Sequence, residues 1–493
     1  MRRVFLCLVT LLVCAACTTE PETTIQVQGT VTAADDGSPI VGASVQVVEA
    51  GFTSGELRTR VQTNNQGDYS LSFIKTGACD EGKFFIAASA QGFQLGEFGG
   101  LLVGPDDLRV RCTDELQTID FQLERAAEVE CDETDVVVSD EASLLAALSA
   151  AEPGDVIGID GLIAITDDIF IDTEELTLTC ATSGSGLVAQ PGVDDMVRPT
   201  AKGVRVERLI LAGASTNSPY LAINDGVTTF AEEVRLSNNI ITCGRETCAF
   251  LIGVAGARIE GNRFESGGSE TGVQLQGQGP LAPDGSRPRP IDGTRVRDNT
   301  IIATAPSSVR AFGGIRIRDG ADLVVKNNDV LGPWANSIAV ANVSESDFDG
   351  NRLEGAINVG IVASTGGGNA RDNRFRNNSI VGAGLAAIFA RREACRNLFQ
   401  GNELQFNLLV VFDVATGANT LKGTPNAVVI DDGNFDCDGD GVADPNIILD
   451  IGGSGYSGST AAASVLSAQL LRELSLSDTV GGPGGEAKAV VLQ

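Results

Sequence analysis

The sequence predicts an all-β protein: a solenoid of stacked strand coils preceded by a small β-sandwich. Three observations carry that expectation. A six-residue theme, apolar-x-x-Asn-x-apolar, recurs between residues 236 and 404 at intervals of 23–37 residues. A unit that short cannot bury its own apolar face and must stack on its neighbours. Ahead of it, residues 25–125 alternate apolar and polar side chains between turn signals, as short half-buried strands do. The composition agrees, since 59 Gly and only 5% aromatic residues suit thin, turn-rich layers better than a helical bundle.

Taken in order, the chain begins with an export signal. Arg2 and Arg3 form a charged end, Val4 to Val13 an apolar run, and Ala15-Ala16 a pair of small residues before Cys17. A polar tether, residues 18–24, follows. This start resembles a bacterial lipoprotein signal, departing from the family pattern at Cys14, where Leu is favoured. The resemblance implies that residues 1–17 comprise the signal and an acylated Cys17. It also implies a place in the bacterial cell envelope, at the outer membrane or cell surface, with the lipid as the only membrane attachment. No other stretch has the ~18 consecutive apolar residues of a spanning helix. The 493-residue chain has a net charge of −30, with 65 acidic against 35 basic residues, which disfavours nucleic acid and anionic lipid surfaces as partners. His is absent altogether, which excludes imidazole bases, His triads and His metal sites. Apart from Cys7, Cys14 and Cys17, eight Cys remain: Cys79, Cys112, Cys131, Cys180, Cys243, Cys248, Cys395 and Cys437. An even number in an exported chain argues for disulfides, and sequential pairing keeps each bridge local: 79–112, 131–180, 243–248 and 395–437.

In the first folded unit, residues 25–125, strands are expected at Ile25 to Val31, Ala43 to Val47 and Tyr69 to Phe73. Between them stand the turn stretches 35–39 and 64–68. The elements Val27-x-Gly29-x-Val31, Gly37-x-Pro39, Ala43-x-Val45-x-Val47, Gly67-x-Tyr69-x-Leu71 and Ala90-x-Gly92-Phe93 resemble the carboxypeptidase regulatory-like family. That resemblance implies an immunoglobulin-like, transthyretin-like sandwich acting as a spacer or accessory module, with Tyr69 and Phe93 as core aromatics.

Residues 126–135 read as an acidic linker carrying Cys131. A short strand at Val136 to Val138 precedes a helix opened by Ser139-Asp140-Glu141 and continued through Leu144, Leu145 and Leu148, stopping at Pro153-Gly154. Strands follow at Val156 to Ile159, Leu162 to Ile165, Ile169 to Ile171 and Leu176 to Leu178. Helix, Pro-Gly-Asp and then successive coils resemble the start of the right-handed parallel β-helix family, the pectin-lyase-like fold. The resemblance implies a solenoid over residues 136–430 whose first coil is plugged by the helix. The Asn residues of the theme are 239, 262, 299, 328, 351, 378 and 402, with Asn373 a rival to Asn378. They are expected to sit in αL turns and to stack as a hydrogen-bonded ladder, a structural role.

A second strand recurs upstream of each theme: Val273-Gln-Leu275-Gln, Ile315-Arg-Ile317-Arg, Ile338-Ala-Val340-Ala, Ile361-Val-Ala363-Ser and Ile388-Phe-Ala390-Arg. Period-two geometry points Gln274, Arg316, Ala339, Val362 and Phe389 outward, with Gln276, Arg318, Ala341, Ser364 and Arg391 beside them. Enzymes of the resembled fold work on the outside of one sheet, hydrolases with paired carboxylates and lyases with an Arg or Lys base and carboxylate-held Ca²⁺. The row has no carboxylate, which leaves Arg316, Arg318 and the neighbouring Asp319 as the catalytic candidates. As a binding surface it offers Gln274, Gln276, Arg316 and Arg318. The Pro/Gly-rich loop 277–294 could wall a groove beside them, and Trp334 is either a sugar-stacking platform or a filler of a coil end. The expectation is therefore a surface protein that binds extracellular polysaccharide or another polymer without cleaving it. A Ca²⁺-assisted polysaccharide lyase, a glycosidase and a purely structural adhesion protein are the alternatives.

Within residues 431–476 the pattern Asp436-x-Asp438-x-Asp440-Gly441-x-x-Asp444 places carboxylates around a Gly-permitted turn, as a hard cation requires. It resembles a thrombospondin type 3 calcium repeat and implies a structural Ca²⁺, pinned further by a Cys395–Cys437 bridge. Residues 459–476 carry helix-like apolar spacing at Ala462, Val465, Leu466, Leu470 and Leu471, expected to cap the solenoid, and residues 477–493 form a Gly-rich tail.

Overall fold

In the computed structural model, the described residues are 22–50, 55–76, 84–90, 110, 113–123 and 131–458. The last range is interrupted at 191–192, 214–217, 244–246, 267–270, 279–289, 304–312, 365–368, 392, 407–408, 414–415, 426, 432, 434 and 451–455. The signal, Cys17, the Cys79–Cys112 pair, Phe93, most of the 277–294 loop and residues 459–493 lie outside them. The chain forms two compact units, the first ending at Arg125 and the second taking up the chain at Ala126.

In the first unit, β1 (Glu22–Ala33) pairs antiparallel with β4 (Asp68–Thr76) and parallel with β6 (Leu116–Thr118) and β7 (Phe121–Leu123). A second sheet orders β3 (Gly55–Gln62), β2 (Ser44–Ala50) and β5 (Phe84–Ser89). Ile25, Val27 and Val31 of β1 are buried with Tyr69, Leu71 and Phe73 of β4, as the alternation predicts. The Tyr69 hydroxyl donates to the Ile119 carbonyl at 2.6 Å, and burial raises its pKa. A methyl group on Gly29 would overlap that same carbonyl, which is why the β1 sequence breaks to Gly there.

In the second unit, helix α1 (Glu141–Ala150) opens on Asp140, whose carboxylate accepts from the Ser143 N–H at 2.7 Å while Ser143 Oγ accepts from the Asp140 N–H at 3.2 Å. This reciprocal cap satisfies two backbone donors of the first turn. Leu144 and Leu148 enter the apolar core with Val138 and Ile157, whereas Leu145 faces solvent. From Val156 on, each coil contributes a strand to sheet 1, then sheet 2, then sheet 3, and all pairing between coils is parallel. Among the described residues the three sheets hold 13, 10 and 15 strands. Inward rows fill the interior, with Val206, Leu236, Ile259, Val296, Val325, Phe348, Phe375 and Phe399 stacked in register on sheet 1. The last three form a parallel aromatic pile, their rings 4.6 and 4.9 Å apart.

The recurring Asn is a ladder, and there are two of them. At the turn from sheet 1 to sheet 2, Asn239, Asn262, Asn299, Asn328, Asn351, Asn378 and Asn402 are buried and bonded in sequence. Each Nδ2 before the last donates to the next Oδ1 at 2.9–3.0 Å. At the turn from sheet 3 back to sheet 1 runs a second ladder, Asn373, Asn397, Asn419 and Asn446. Asn373 and Asn378 are thus not rivals but members of different ladders, at opposite ends of the strand Arg374–Arg376. The αL residue is not the ladder Asn. It is the residue before it: Asn238, Gly261, Asp298, Asn327, Gly350, Asn377 and Gly401 all have φ between 53° and 67°.

The solenoid also runs further than expected. Ile447–Leu449 adds to sheet 1 beside Thr420–Lys422, and Tyr456–Gly458 adds to sheet 3 beside Val428–Asp431. The Asp-rich segment is therefore a loop between two coils, not a cap beyond the last one. Three of the four expected disulfides, 131–180, 243–248 and 395–437, are present.

Candidate functional site

Parallel stacking converts one register position into a continuous row down the outside of sheet 3, with successive side chains about 4.8 Å apart. The row runs Phe170, Arg198, Leu221, Phe250, Gln274, Arg316, Ala339, Val362, Phe389, Val411 and Ile430. A neighbouring row holds Ile223, Ile252, Gln276, Arg318 and Ala341. The structure thus brings Gln274, Gln276, Arg316 and Arg318 together as a two-by-two array. Gln274 Nε2 donates to Gln276 Oε1 at 3.4 Å, and the paired Arg residues lie on the next strand.

The face has two halves. From Phe170 to Arg316 it is partly open: Phe170 is 50% exposed, and Arg198, Phe250, Gln276, Arg316 and Arg318 all keep some solvent contact. From Ala339 onward every row member down to Ile430 is buried. Sequence reasoning missed the open end of the row, although Ala249-Phe250-Leu251-Ile252 carries the same apolar inward positions as the strands it did align. Phe250 lies in register with Gln274, and the Arg198 guanidinium stacks 4.9 Å from the Phe170 ring centre.

Trp334 corrects one expectation. It is fully buried in the solenoid core, against the space that Gly314 leaves open, and its Nε1 has no hydrogen-bond partner there. It fills the coil and offers no platform to a ligand. Asp319 is buried at an αL turn, where its carboxylate accepts from Asn342 Nδ2 at 2.9 Å. Asp292, at the end of the 277–294 loop, accepts from the Ala321 N–H at 2.7 Å. Both carboxylates act as turn brackets.

Near the open end, Asp168 binds Arg198 at 3.2 Å and accepts from the Asp194 and Asp195 N–H groups. Asp195 in turn accepts from the Ser218 N–H at 3.2 Å, and burial pushes its pKa up. Two carboxylates, Asp168 and the more basic Asp195, therefore stand beside the row, each also bracing the turn of the following coil.

In the acidic loop, carboxylate oxygens of Asp436, Asp438 and Asp444 come within 4.8 Å of one another. Asp436 accepts from the Gly441 and Gly439 N–H groups, both at 2.7 Å, which holds its pKa low. Asp444 accepts from the Cys437 N–H at 2.9 Å, and the Cys395–Cys437 bridge ties the loop to the coil before it. Asp440 does not join the group, its carboxylate accepting from the Val442 N–H at 2.8 Å. The donor set is all hard oxygen, as Ca²⁺ requires, with three of the expected four carboxylates converging.

The class defined by these features is a β-solenoid with an exposed sheet face and an N-terminal sandwich. Residues 224–404 match the model of the right handed beta helix region, and residues 26–124 that of the carboxypeptidase regulatory-like domain. The chain is a right-handed parallel β-helix protein preceded by a carboxypeptidase regulatory-like sandwich. No curated protein matches it. Similar solved structures include the PL6 family alginate lyase AlyGC, at 14% identity and TM-score 0.33, covering 60% of this chain and 40% of the other. The Azotobacter vinelandii mannuronan C-5 epimerase AlgE6 A-module is similar at 10% identity and TM-score 0.36, covering 66% and 87%. PfbA, a surface adhesin of Streptococcus pneumoniae, is similar at 10% identity and TM-score 0.42, covering 65% and 88%. The chain spans 40–64% of the length of the first three structures it matches. These likenesses assign no activity to it.

Proposed function

We propose that this is an exported, lipid-anchored surface protein that binds an anionic extracellular polysaccharide along the open half of sheet 3, without cleaving it. The observation that carries the reading is the composition of that half. Partly exposed Phe170 and Phe250 give flat apolar faces for sugar rings, and the partly exposed Gln276, braced by the buried Gln274, gives an amide for hydroxyls. Arg316 and Arg318 place guanidinium charge on one stretch of a chain whose net charge is −30, a local inversion suited to carboxylate or sulfate groups. The row itself holds no carboxylate. Acylation of Cys17 would hold the protein at the outer membrane or cell surface. A Ca²⁺ on Asp436, Asp438 and Asp444 would be structural, bracing the loop between the last coils.

Affinity electrophoresis against neutral and anionic polysaccharides tests the reading. Retardation by anionic polymers only, relieved in Phe250→Ala and Arg318→Ala, is the expected result, and absence of retardation by any polymer refutes it. One observation favours an enzyme, the Asp168–Asp195 pair with one carboxyl made more basic. Reducing ends or unsaturated product that disappear in Asp195→Asn would replace binding with catalysis. For the ion, a melting midpoint that falls on chelation is expected, and an unchanged midpoint removes it.

A further inference from the structure

The outside of sheet 1 carries a feature that the sheet 3 reading does not use. Val206, Leu236, Ile259 and Val296 point into the core, so the residues on either side of them point out. The register sets Arg205, Arg235, Arg258 and Arg295 on four successive rungs of one outward row. Their steps are about 4.8 Å, so the run is about 14 Å long. Arg258 and Arg295 are exposed and Arg205 and Arg235 half-buried, and among the described residues none of the four has an ion pair or a side-chain hydrogen bond. Nearby acids are turned to other partners: Glu260 to Arg297 at 3.0 Å, Glu233 to Lys202 at 2.8 Å and Glu232 to Asn224 at 3.1 Å. Farther along, the same row is built differently. After Val324 it reaches Asp347, which takes ion pairs from Arg374 at 3.9 Å and Arg376 at 3.3 Å on the next strand. Like charges on adjacent rungs repel, well inside a Debye length of about 8 Å, so the run from Arg205 to Arg295 costs stability that an interleaved acid would relieve. The chain holds 65 acidic residues, yet none interleaves these four rungs.

We infer that this Arg row is a second binding track, taking a linear anionic polysaccharide that lies along the solenoid axis with about one carboxylate or sulfate per rung. The repeat selects the polymer. A 1,4-linked uronate or sulfated chain carries a charge on each sugar, a step close to the distance between rungs. A strand of duplex DNA brings a charge about every 3.4 Å. An extended acidic peptide presents same-side carboxylates about 6.6 Å apart. Both drift out of step with the Arg side chains along the row. Guanidinium groups meet carboxylate and sulfate oxygens with two parallel bonds, and all four Arg keep that fork free. The track shares no residue with the sheet 3 face and does not depend on that face binding anything.

Affinity electrophoresis of the full chain in four forms separates the two faces. The forms are the wild type, Arg258→Gln with Arg295→Gln, Phe250→Ala with Arg318→Ala, and all four changes together. Both Arg side chains are exposed and unpaired, so the Gln pair should melt no lower than the wild type. Gels carrying a polyuronate and gels carrying a sulfated polysaccharide tell which anionic group is read. The Gln pair should weaken retention at least several-fold in one of them. The sheet 3 pair should leave a salt-sensitive remainder that vanishes when all four changes are combined. Equal retention of the wild type and the Gln pair in both gels overturns the track and leaves the sheet 3 reading standing. Loss in the Gln pair alone, with the sheet 3 pair unchanged, supports the track and removes the other reading. Duplex DNA or polyglutamate that retains the wild type as strongly as either polysaccharide also overturns the inference.

Discussion

Replacing Asn328 by Ala removes one rung from the middle of the first ladder, and the structure lets the cost be worked out. The side chain donates to the Val296 carbonyl at 2.9 Å and to Asn351 Oδ1 at 2.9 Å, and its Oδ1 accepts from Asn299 N at 3.2 Å and Asn299 Nδ2 at 2.9 Å. The two side-chain partners keep other bonds: Asn351 Oδ1 still receives the Asn328 backbone N–H, and Asn299 Nδ2 still reaches the Ile259 carbonyl. The Val296 carbonyl keeps the sheet bond that its register with Val325 provides, so the Asn299 N–H alone loses its partner in a buried turn. At about 1–3 kcal/mol for a buried polar group left unsatisfied, the substitution costs about 1–3 kcal/mol. The neighbouring position gives an internal control. Asn327 is αL at φ 53°, and its side chain reaches only the exposed Asp298 at 3.1 Å. Asn327→Gly relieves the left-handed backbone and should be neutral to within about 0.5 kcal/mol. Guanidinium denaturation of both variants measures the difference. Amide exchange at Asn299 and at the following strand Val324–Lys326 locates it, since solenoid stability is largely a sum over neighbouring coils. A loss below about 1 kcal/mol for Asn328→Ala, or unchanged exchange at Asn299, would refute the view that the ladder holds adjacent coils together.

Three further outcomes follow from the packing. Phe375→Ala empties the middle of the pile between Phe348 and Phe399 and should cost about 3–5 kcal/mol in the same denaturation assay, while Phe375→Leu costs less. In the sandwich, Tyr69→Phe removes the bond to Ile119 and should cost about 1–2 kcal/mol, and Gly29→Ala should cost more, both read from the thermal midpoint of the isolated residues 22–125 or, where these do not fold alone, of the full chain. Asp372 is held below the usual carboxylate range by its paired bonds to Arg396 at 2.8 and 2.7 Å. A lowered folded-state pKa contributes stability above the unfolded carboxylate pKa and loses it as pH falls through the folded value. Asp372→Asn should therefore narrow the stability gap between neutral and acid pH, modestly because the pair is partly exposed.

How much of this was legible in the sequence depends on whether the physics repeats. The ladder demands a side chain that both donates and accepts at one place in every coil, so Asn recurs and announces the coil. The turn residue before it needs only to tolerate φ > 0, which Gly, Asn and Asp all do, so that position shows no fixed letter and the αL assignment slipped by one residue. Asn373 and Asn378 looked like rivals because a three-residue strand separates two turns, each with its own ladder. Trp334 was ambiguous for a different reason: it is buried among core residues contributed by other coils, and no local pattern around Trp334 encodes those neighbours.

The outer face of sheet 3 shows where local reading and tertiary structure part. The same register position is Phe170, Arg198, Leu221, Phe250, Gln274 and Arg316 along the open half and Ala339, Val362, Phe389, Val411 and Ile430 along the closed half. Aligning five strands by their inward residues treated that row as one surface. The outward residues themselves divide it, because a polar or aromatic outward residue can face water while a run such as Ile388-Phe-Ala cannot without cost. The change of composition between Arg316 and Ala339 therefore marks a change of environment within one continuous sheet. Before that point the row keeps solvent contact at Phe170, Arg198, Phe250 and Arg316, and after it every member down to Ile430 is buried.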